Sequence, residues 1–284
     1  MQILEPMGRH RLVIGPNETG IECDLTFTPR TACIEEGHQR LRNARHVVME
    51  ATRLDQFGFW HGIIKYDGKE LAVDGRNTYG IKDRSWGVRP VGDSYTGGAP
   101  MDTYQAVHFM WAPLHWENEC TLAGLFEDET GFQWHTDQAI LPAYKSFEDV
   151  PGVIDPNGKV WQGIVNHNIT NYPGTRQASA ASITMQDRSG ESIEITMEPK
   201  LVYRMKGIGY QHPEWGHGKW KGELAIGGES WNIDDVDPLS IENIHIQQVV
   251  KAQRGDEIGY GVLEQMHIGP YQPMGFEDWF DGAK

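Results

Sequence analysis

The sequence predicts an all-β protein built as two antiparallel barrels in tandem, and three observations carry that prediction. Its 284 residues include 33 glycines, 15 prolines and 10 tryptophans, a balance that favours many short strands joined by turns. Apolar and polar residues alternate with period two in several stretches, and no long stretch shows the 3.6-residue period of a helix. A pattern also recurs. Trp60-His-Gly62, Gly68 and Asp74 match Trp220-Lys-Gly222, Gly228 and Asp234 in register. Two copies are too few for a solenoid, so the repeat reads as two related β modules, 1–145 and 146–284. Closing a sheet into a barrel removes its vulnerable edges, and a barrel of about eight strands can hold one small ligand.

Taken in order, the chain opens with strands at Arg11–Gly15 and Ile21–Thr28, the second ended by Pro29. Residues 34–45 carry Glu35, Glu36, His38, Arg40, Arg42 and Arg45 and read as a solvated polar loop. The next strand opens at Val47–Leu54, and Asp67-Gly68 marks a tight hairpin turn. After a Gly/Pro-rich stretch from Gly92 to Pro100, strands follow at Tyr104–Trp116, Cys120–Phe126 and Phe132–His135. Pro142, Pro151, Pro156 and Asn157-Gly158 mark the boundary between the modules. In Ser182–Met197, Ile183 and Met185 fall opposite Ile193, Ile195 and Met197, a hairpin with one apolar face. The two weak helical candidates are Glu242–Val250 and Phe276–Phe280.

Composition excludes several functions. The formal net charge of −15, from 40 acids and 25 bases, repels phosphate backbones and anionic membranes, so nucleic acid is not an expected partner. Three cysteines, Cys23, Cys33 and Cys120, form neither a disulfide framework nor a metal-binding pair. They fit a reducing, cytoplasmic setting. The N-terminus lacks a signal-like apolar run, and no membrane span is expected. There is no phosphate-cradling glycine loop, GxSxG elbow, HExxH or calcium loop, so no cofactor is expected. Twelve histidines are present, but their spacing shows no ligand pattern and no metal is expected. The expected partners are a small hydrophobic molecule and, at most, a second copy of the chain.

The densest meeting of charge, aromatic and glycine is Asp83-Arg84-Ser85-Trp86-Gly87-Val88-Arg89, just after the Asp67-Gly68 hairpin. An acid, two guanidinium groups and an indole at a strand end can be held rigidly enough for chemistry. The same cluster could equally be a polar turn with an Arg–Asp clamp. Asp83 is the leading acid/base candidate: desolvation beside Trp86 would raise its pKa, and Arg84 or Arg89 would lower it. The remaining candidates are histidines beside tryptophans, which pair proton exchange near neutral pH with an apolar, cation-stabilising wall. They are His115, His135, His212 and His217 as proton carriers, with Trp111, Tyr210 and Trp215 shaping the pocket.

This stretch resembles the Arg-Asp-His-Ser-Trp-Gly-x-Arg signature of a bacterial family of tandem lipocalin-like proteins. That family is related to AttH-like proteins, to carotenoid 1,2-hydratases (hydroxyneurosporene synthases) and, more distantly, to tocopherol cyclase. The likeness runs from about Cys23 to about Gly275. Lys82 stands where the signature usually has Arg, and Arg84 where His is common. The resemblance implies lipocalin-like barrels and a hydratase or dehydratase acting on a terpenoid-like alcohol or alkene; the Trp and His content would admit aromatic substrates too. Asp83 or a histidine would then carry the proton, with Arg84, Trp86 and Arg89 at the substrate. A non-catalytic lipid or pigment carrier, or an isomerase or cyclase of the same fold, is the alternative.

Overall fold

The computed structural model describes residues 1–43, 46–89, 106–187, 189–206, 210 and 212–284. It is all-β, lipocalin-like and antiparallel throughout, with three short 3-10 turns.

The first sheet holds β1 (Gln2–Ile3), β2 (His10–Ile14), β3 (Ile21–Pro29), β4 (Ile34–Glu35), β5 (Gln39–Asn43), β6 (His46–Tyr66), β7 (Lys69–Val73) and β8 (Tyr79–Val88). Its spine is β6, 21 residues long. β3, β4 and β5 pair in succession with one edge of β6, and β7 and β8 pair with the other. The β6–β7 turn falls at Asp67 and Gly68, both with positive φ (51° and 69°), the backbone that a two-residue hairpin of matching twist demands.

The second sheet holds β9 (Val107–His115), β10 (Glu119–Glu127), β11 (Gln133–Pro142), β12 (Lys159–Trp161), β13 (Val165–Asn171), β14 (Ala178–Gln186), β15 (Ser192–Arg204), β16 (His245–Arg254) and β17 (Glu257–Ile268). Its order is β12-β11-β10-β9-β17-β16-β15-β14-β13. The predicted hairpin is present, with Ile183 opposite Ile195 and Met185 opposite Ile193. Side chains of β11 tie the two ends of this sheet together. Gln133 bonds both the N–H and the C=O of Val165 (3.0 and 2.7 Å), and Gln138 accepts from Gln186 N and donates to Gly163 O. The sheet thereby wraps an apolar core drawn from Met110, Leu114, Leu125, Ile183, Ile195, Val250, Leu263 and their neighbours.

A second core fills the space between the sheets, where Ile34 and Phe57 meet Phe109, Trp111, Leu122 and Leu141. β9 and β10 are therefore buried on both faces, which is why they read as near-continuous apolar runs.

Several expectations change. The sheets divide between Val88 and Val107, whereas the proline-rich segment after Pro142 leads from β11 to β12, which pairs straight back onto β11. That stretch is a long hairpin loop inside one sheet. Glu242–Val250 is no helix: its second half belongs to β16, whose β-branched residues alternate in burial. Phe276–Phe280 is irregular. The Trp-x-Gly repeat has no structural counterpart, since Trp60 lies in β6 while Trp220 is 82% exposed in a segment without strands. No helix among the described residues is long and apolar enough to cross a membrane.

Candidate functional site between the sheets

The period of two along a strand decides which predicted residues can meet. On β8, Asp83, Ser85 and Arg89 share a register with Tyr79 and Ile81, while Arg84 and Trp86 point to the other face. Arg84 reaches Met7 Sδ (3.6 Å), and Trp86 is 52% exposed. Arg84 is thus no partner of Asp83. Gly87 is obligatory in this strand: its φ is 130°, and a Cβ there would lie 2.1 Å from the Glu50 carbonyl oxygen.

Asp83 instead faces β6. It lies directly opposite Asp55 in the ladder, and Arg53 Nε stands 3.5 Å from its Oδ1. Arg53 and Asp55 are two residues apart and share a strand face. Arg53 also reaches Glu36 Oε2 at 3.7 Å. Glu36, just after β4, is 4% exposed, so it is no part of a solvated loop. Trp111 Nε1 donates to its Oε1 (3.3 Å) and Gln39 Nε2 to its Oε2 (3.4 Å). On β11, His135 and Asp137 share a face, and His135 Nε2 lies 2.5 Å from Asp137 Oδ2. The other Asp137 oxygen accepts from the N–H of Gly37 at 2.6 Å. From β16 and β17, His245 and Gln247 both donate to Glu264 (2.7 and 2.8 Å). Arg89 closes one side, donating to Ser85 Oγ and to Tyr210 Oη, each at 2.7 Å.

Acids outnumber cations in this layer. Burial pushes the carboxyl of Glu36 above its ordinary range, against the pull of Arg53. Burial, reinforced by Glu36, raises Asp55 further, and Asp55 is fully buried with no N–H or hydroxyl donor among the described residues on either oxygen. Two buried carboxyls in contact are held together by a shared proton, since both cannot ionise at so short a range. Partial burial also raises Asp83, although its side chain keeps 44% of its surface exposed. It is the member of the cluster that an outside molecule can touch.

The same layer continues into a cleft of about 560 Å³ lined by Tyr79, Ile81, Pro113, His115, Val249, Tyr260 and Val262 among others. Four strand faces run from cleft to acid: Tyr79-Ile81-Asp83 on β8, His115-Pro113-Trp111 on β9, Val249-Gln247-His245 on β16 and Tyr260-Val262-Glu264 on β17. Alternate residues on a strand are about 7 Å apart, so Asp83 stands one such step beyond Ile81, outside the cleft lining itself. His115 belongs to the apolar end. It stacks on Tyr79 (4.3 Å between ring centres), meets Phe57 edge-on and accepts from Arg30 at 3.4 Å. Burial, with Arg30 adding to it, drives its pKa down to about 3, so it is neutral near pH 7. A second cleft of about 390 Å³, with Ile140, Trp161, Met185 and Ile193 beneath Lys159, Asp187 and Glu191, includes none of the predicted site residues.

The structure thus brings together Asp83, Arg89, Trp111, His135 and Tyr210. It leaves out Arg84 and Trp86, and also His212, His217 and Trp215. His212 organises the irregular segment after β15: its Nδ1 accepts from the N–H groups of Glu214 and Trp215, and its Nε2 donates to Glu229 at 2.8 Å. His217 is exposed, 6.1 Å from the Tyr210 ring. Trp215 packs on Gly227 and under Lys221. Sequence reasoning missed Glu36, Arg53, Asp55, Asp137, His245 and Glu264. The pairs Arg53-x-Asp55 and His135-x-Asp137 were legible as two polar residues on one strand face. Glu36 carried no such signal.

The fold and this layer define a class: a lipocalin-like all-β protein with an ionisable site between its sheets. The chain belongs to a family of unknown function, DUF8625, whose model matches residues 1–277. Among solved structures it is similar to a putative AttH from Nitrosomonas europaea, at 14% identity and a TM-score of 0.53 over 92% of this chain. It spans 66% of that protein's length, and the likeness is one of fold. No curated protein matches the chain.

Proposed function

We propose that the protein is an acid–base lyase that adds or removes water, or a comparable small fragment, on a small hydrophobic alcohol or alkene. The observation that carries this reading is the continuity of the inter-sheet layer. An apolar cleft leads along four strand faces to an accessible carboxyl, Asp83, backed by Arg53 and by the buried pair Asp55 and Glu36. The greasy body of a substrate would lie against Tyr79, Ile81, Val262 and Tyr260, with its hydroxyl at Asp83. In the dehydration direction the protonated Asp83 carboxyl gives its proton to the hydroxyl, the C–O bond breaks and water leaves. The resulting carboxylate then takes a proton from the neighbouring carbon as the double bond forms. Arg53 keeps the carboxylate form from becoming prohibitively costly, and partial burial with Glu264 nearby keeps it basic. Arg89 and Tyr210 would orient the polar end of the substrate. Of the three tryptophans expected at the site, only Trp111 lies in this layer.

Positioned proton transfer is worth roughly 10²–10⁴-fold. Asp83→Asn should therefore lower turnover of a hydrophobic alcohol by that factor, measured as alkene formed, while its binding changes less than about twofold. A second reading, a carrier of hydrophobic molecules, is favoured by the cleft alone. Binding of alcohols and alkenes with no turnover of any of them by the unaltered protein would replace the lyase by the carrier.

A further inference from the structure

We propose that Glu36, His135 and Asp137 form a binding site for one divalent transition-metal cation, with Asp55 as an additional carboxylate beside it. One donor atom from each of the three lies within 4.8 Å of the other two, and all three residues are buried. They come from elements far apart in the chain, one beside β4 and two on a single face of β11, and meet only because the sheets pack.

The excess of carboxyls around the three favours a cation. Among the described residues, the N–H donors to Glu36 are Trp111 and Gln39, both at long range, 3.3 and 3.4 Å. Asp55 is fully buried with its carboxyl against Glu36 and no N–H or hydroxyl donor among the described residues on either oxygen, so the pair holds together only through a shared proton. A cation among these acids would take the place of that proton and offset the repulsion between the carboxyls. The local cations do not make up the shortage. Arg53 approaches Glu36 and Asp83 only at 3.7 and 3.5 Å, and its Nε has no hydrogen-bond partner.

The donor set narrows the ion. One imidazole nitrogen with two or three carboxylates suits zinc, manganese or ferrous iron. Calcium takes six to eight oxygens and rarely accepts an imidazole. An outer layer is already in place: Gly37 N–H holds one Asp137 oxygen and Trp111 N–H holds one Glu36 oxygen, and the second oxygens, which face His135 and Gln39, are the ones an ion would take. The short His135–Asp137 contact is then the place where a cation substitutes for a proton, as metal sites require of their ligands.

The test uses the full chain, stripped with a chelator and dialysed against Zn²⁺ or Mn²⁺ separately. Retention of one equivalent per chain by elemental analysis, with a rise in melting temperature, is the expected result. His135→Gln and Asp137→Asn should each weaken that binding by about 100-fold or more, since even outer-layer changes cost 10- to 100-fold. Asp83→Asn should leave it within about threefold. Failure to retain either ion, or unchanged affinity in His135→Gln, overturns the proposal. If the ligand variants do not fold, Co²⁺ added to the unaltered protein decides. Absorption of a four- or five-coordinate ion supports the site, and a spectrum like that of aqueous Co²⁺ overturns it. The site does not rest on the lyase reading: stoichiometric cation binding without turnover would keep the one and remove the other.

Discussion

The two faces of β9 are both buried, and they do opposite things. Met110, Ala112, Leu114 and Trp116 point into the wrapped core of the second sheet, where they meet Leu125, Ile195, Val250 and Leu263. The single polar atom among those four side chains, Trp116 Nε1, is satisfied by Thr121 at 2.9 Å. Phe109, Trp111, Pro113 and His115 point toward the first sheet, into a layer that also holds Glu36, Arg53, Asp55 and Asp83. The inside of the wrapped sheet is apolar along most of its length, and its polar groups gather at one end, where Glu127 accepts from Tyr271 and pairs with His167 beside the buried His108 and His267. The layer between sheets is bounded by two surfaces that can supply hydrogen bonds, and it opens to solvent along its edge. In this protein the wrapped sheet holds most of the apolar core, and the cluster around Asp83 gathers outside it.

The largest test of that contrast is on the solid side. Leu263→Ala should cost about 2–5 kcal/mol by denaturant unfolding and leave ligand binding in the folded protein unchanged. Loss of ligand binding would mean that the ligand enters the wrapped core and that the contrast is false.

A smaller effect comes from the apolar end of the inter-sheet layer. The folded pKa of His115 is about 3, below its ordinary 6.5. Its contribution to stability is therefore fully present above pH 6.5 and is lost as pH falls toward 3. Each group of this kind adds up to about 1.4 kcal/mol per pH unit to the slope. Burial gives His108, at about 4, and His267 the same sign. His115→Gln should make stability less steep between pH 6 and 4 by up to one proton, measured from urea midpoints. An unchanged slope would show that His115 is solvated and charged in the folded state.

The smallest effect is expected on the outer face of β8. Arg84→Gln, one position from Asp83 but on the opposite face, should change stability by less than about 0.5 kcal/mol and leave turnover and cation binding as they are. A large loss of activity would put Arg84 back beside Asp83 and reverse the strand's facing.

Much of the fold was legible. Asp67-Gly68 announced its turn because few residues other than glycine, asparagine and aspartate tolerate the backbone it needs. Ile183, Met185, Ile193 and Ile195 announced their hairpin because one strand face was apolar. Other features misled for physical reasons. Trp220-Lys-Gly222 copies Trp60-His-Gly62 in letters and even continues with alternating Leu224 and Ile226, but no strand among the described residues pairs with it and these side chains stay exposed. Arg84 follows Asp83 in sequence, and in a strand that adjacency guarantees separation. Glu36 sits among exposed charges and gave no sign of being buried.

The sequence by itself determined that this chain folds as antiparallel strands and where the Asp67-Gly68 turn falls, although it put Asp83 at a strand end and the structure has it in the middle of β8. Those are local matters, set by side-chain period and by the backbone freedom of single residues. Only the tertiary structure decided that β4, β6, β9, β11 and β17 bring Glu36, Asp55, Trp111, Asp137 and Glu264 into one layer. That convergence depends on which sheet faces pack together, a property of long-range contacts that no local pattern encodes.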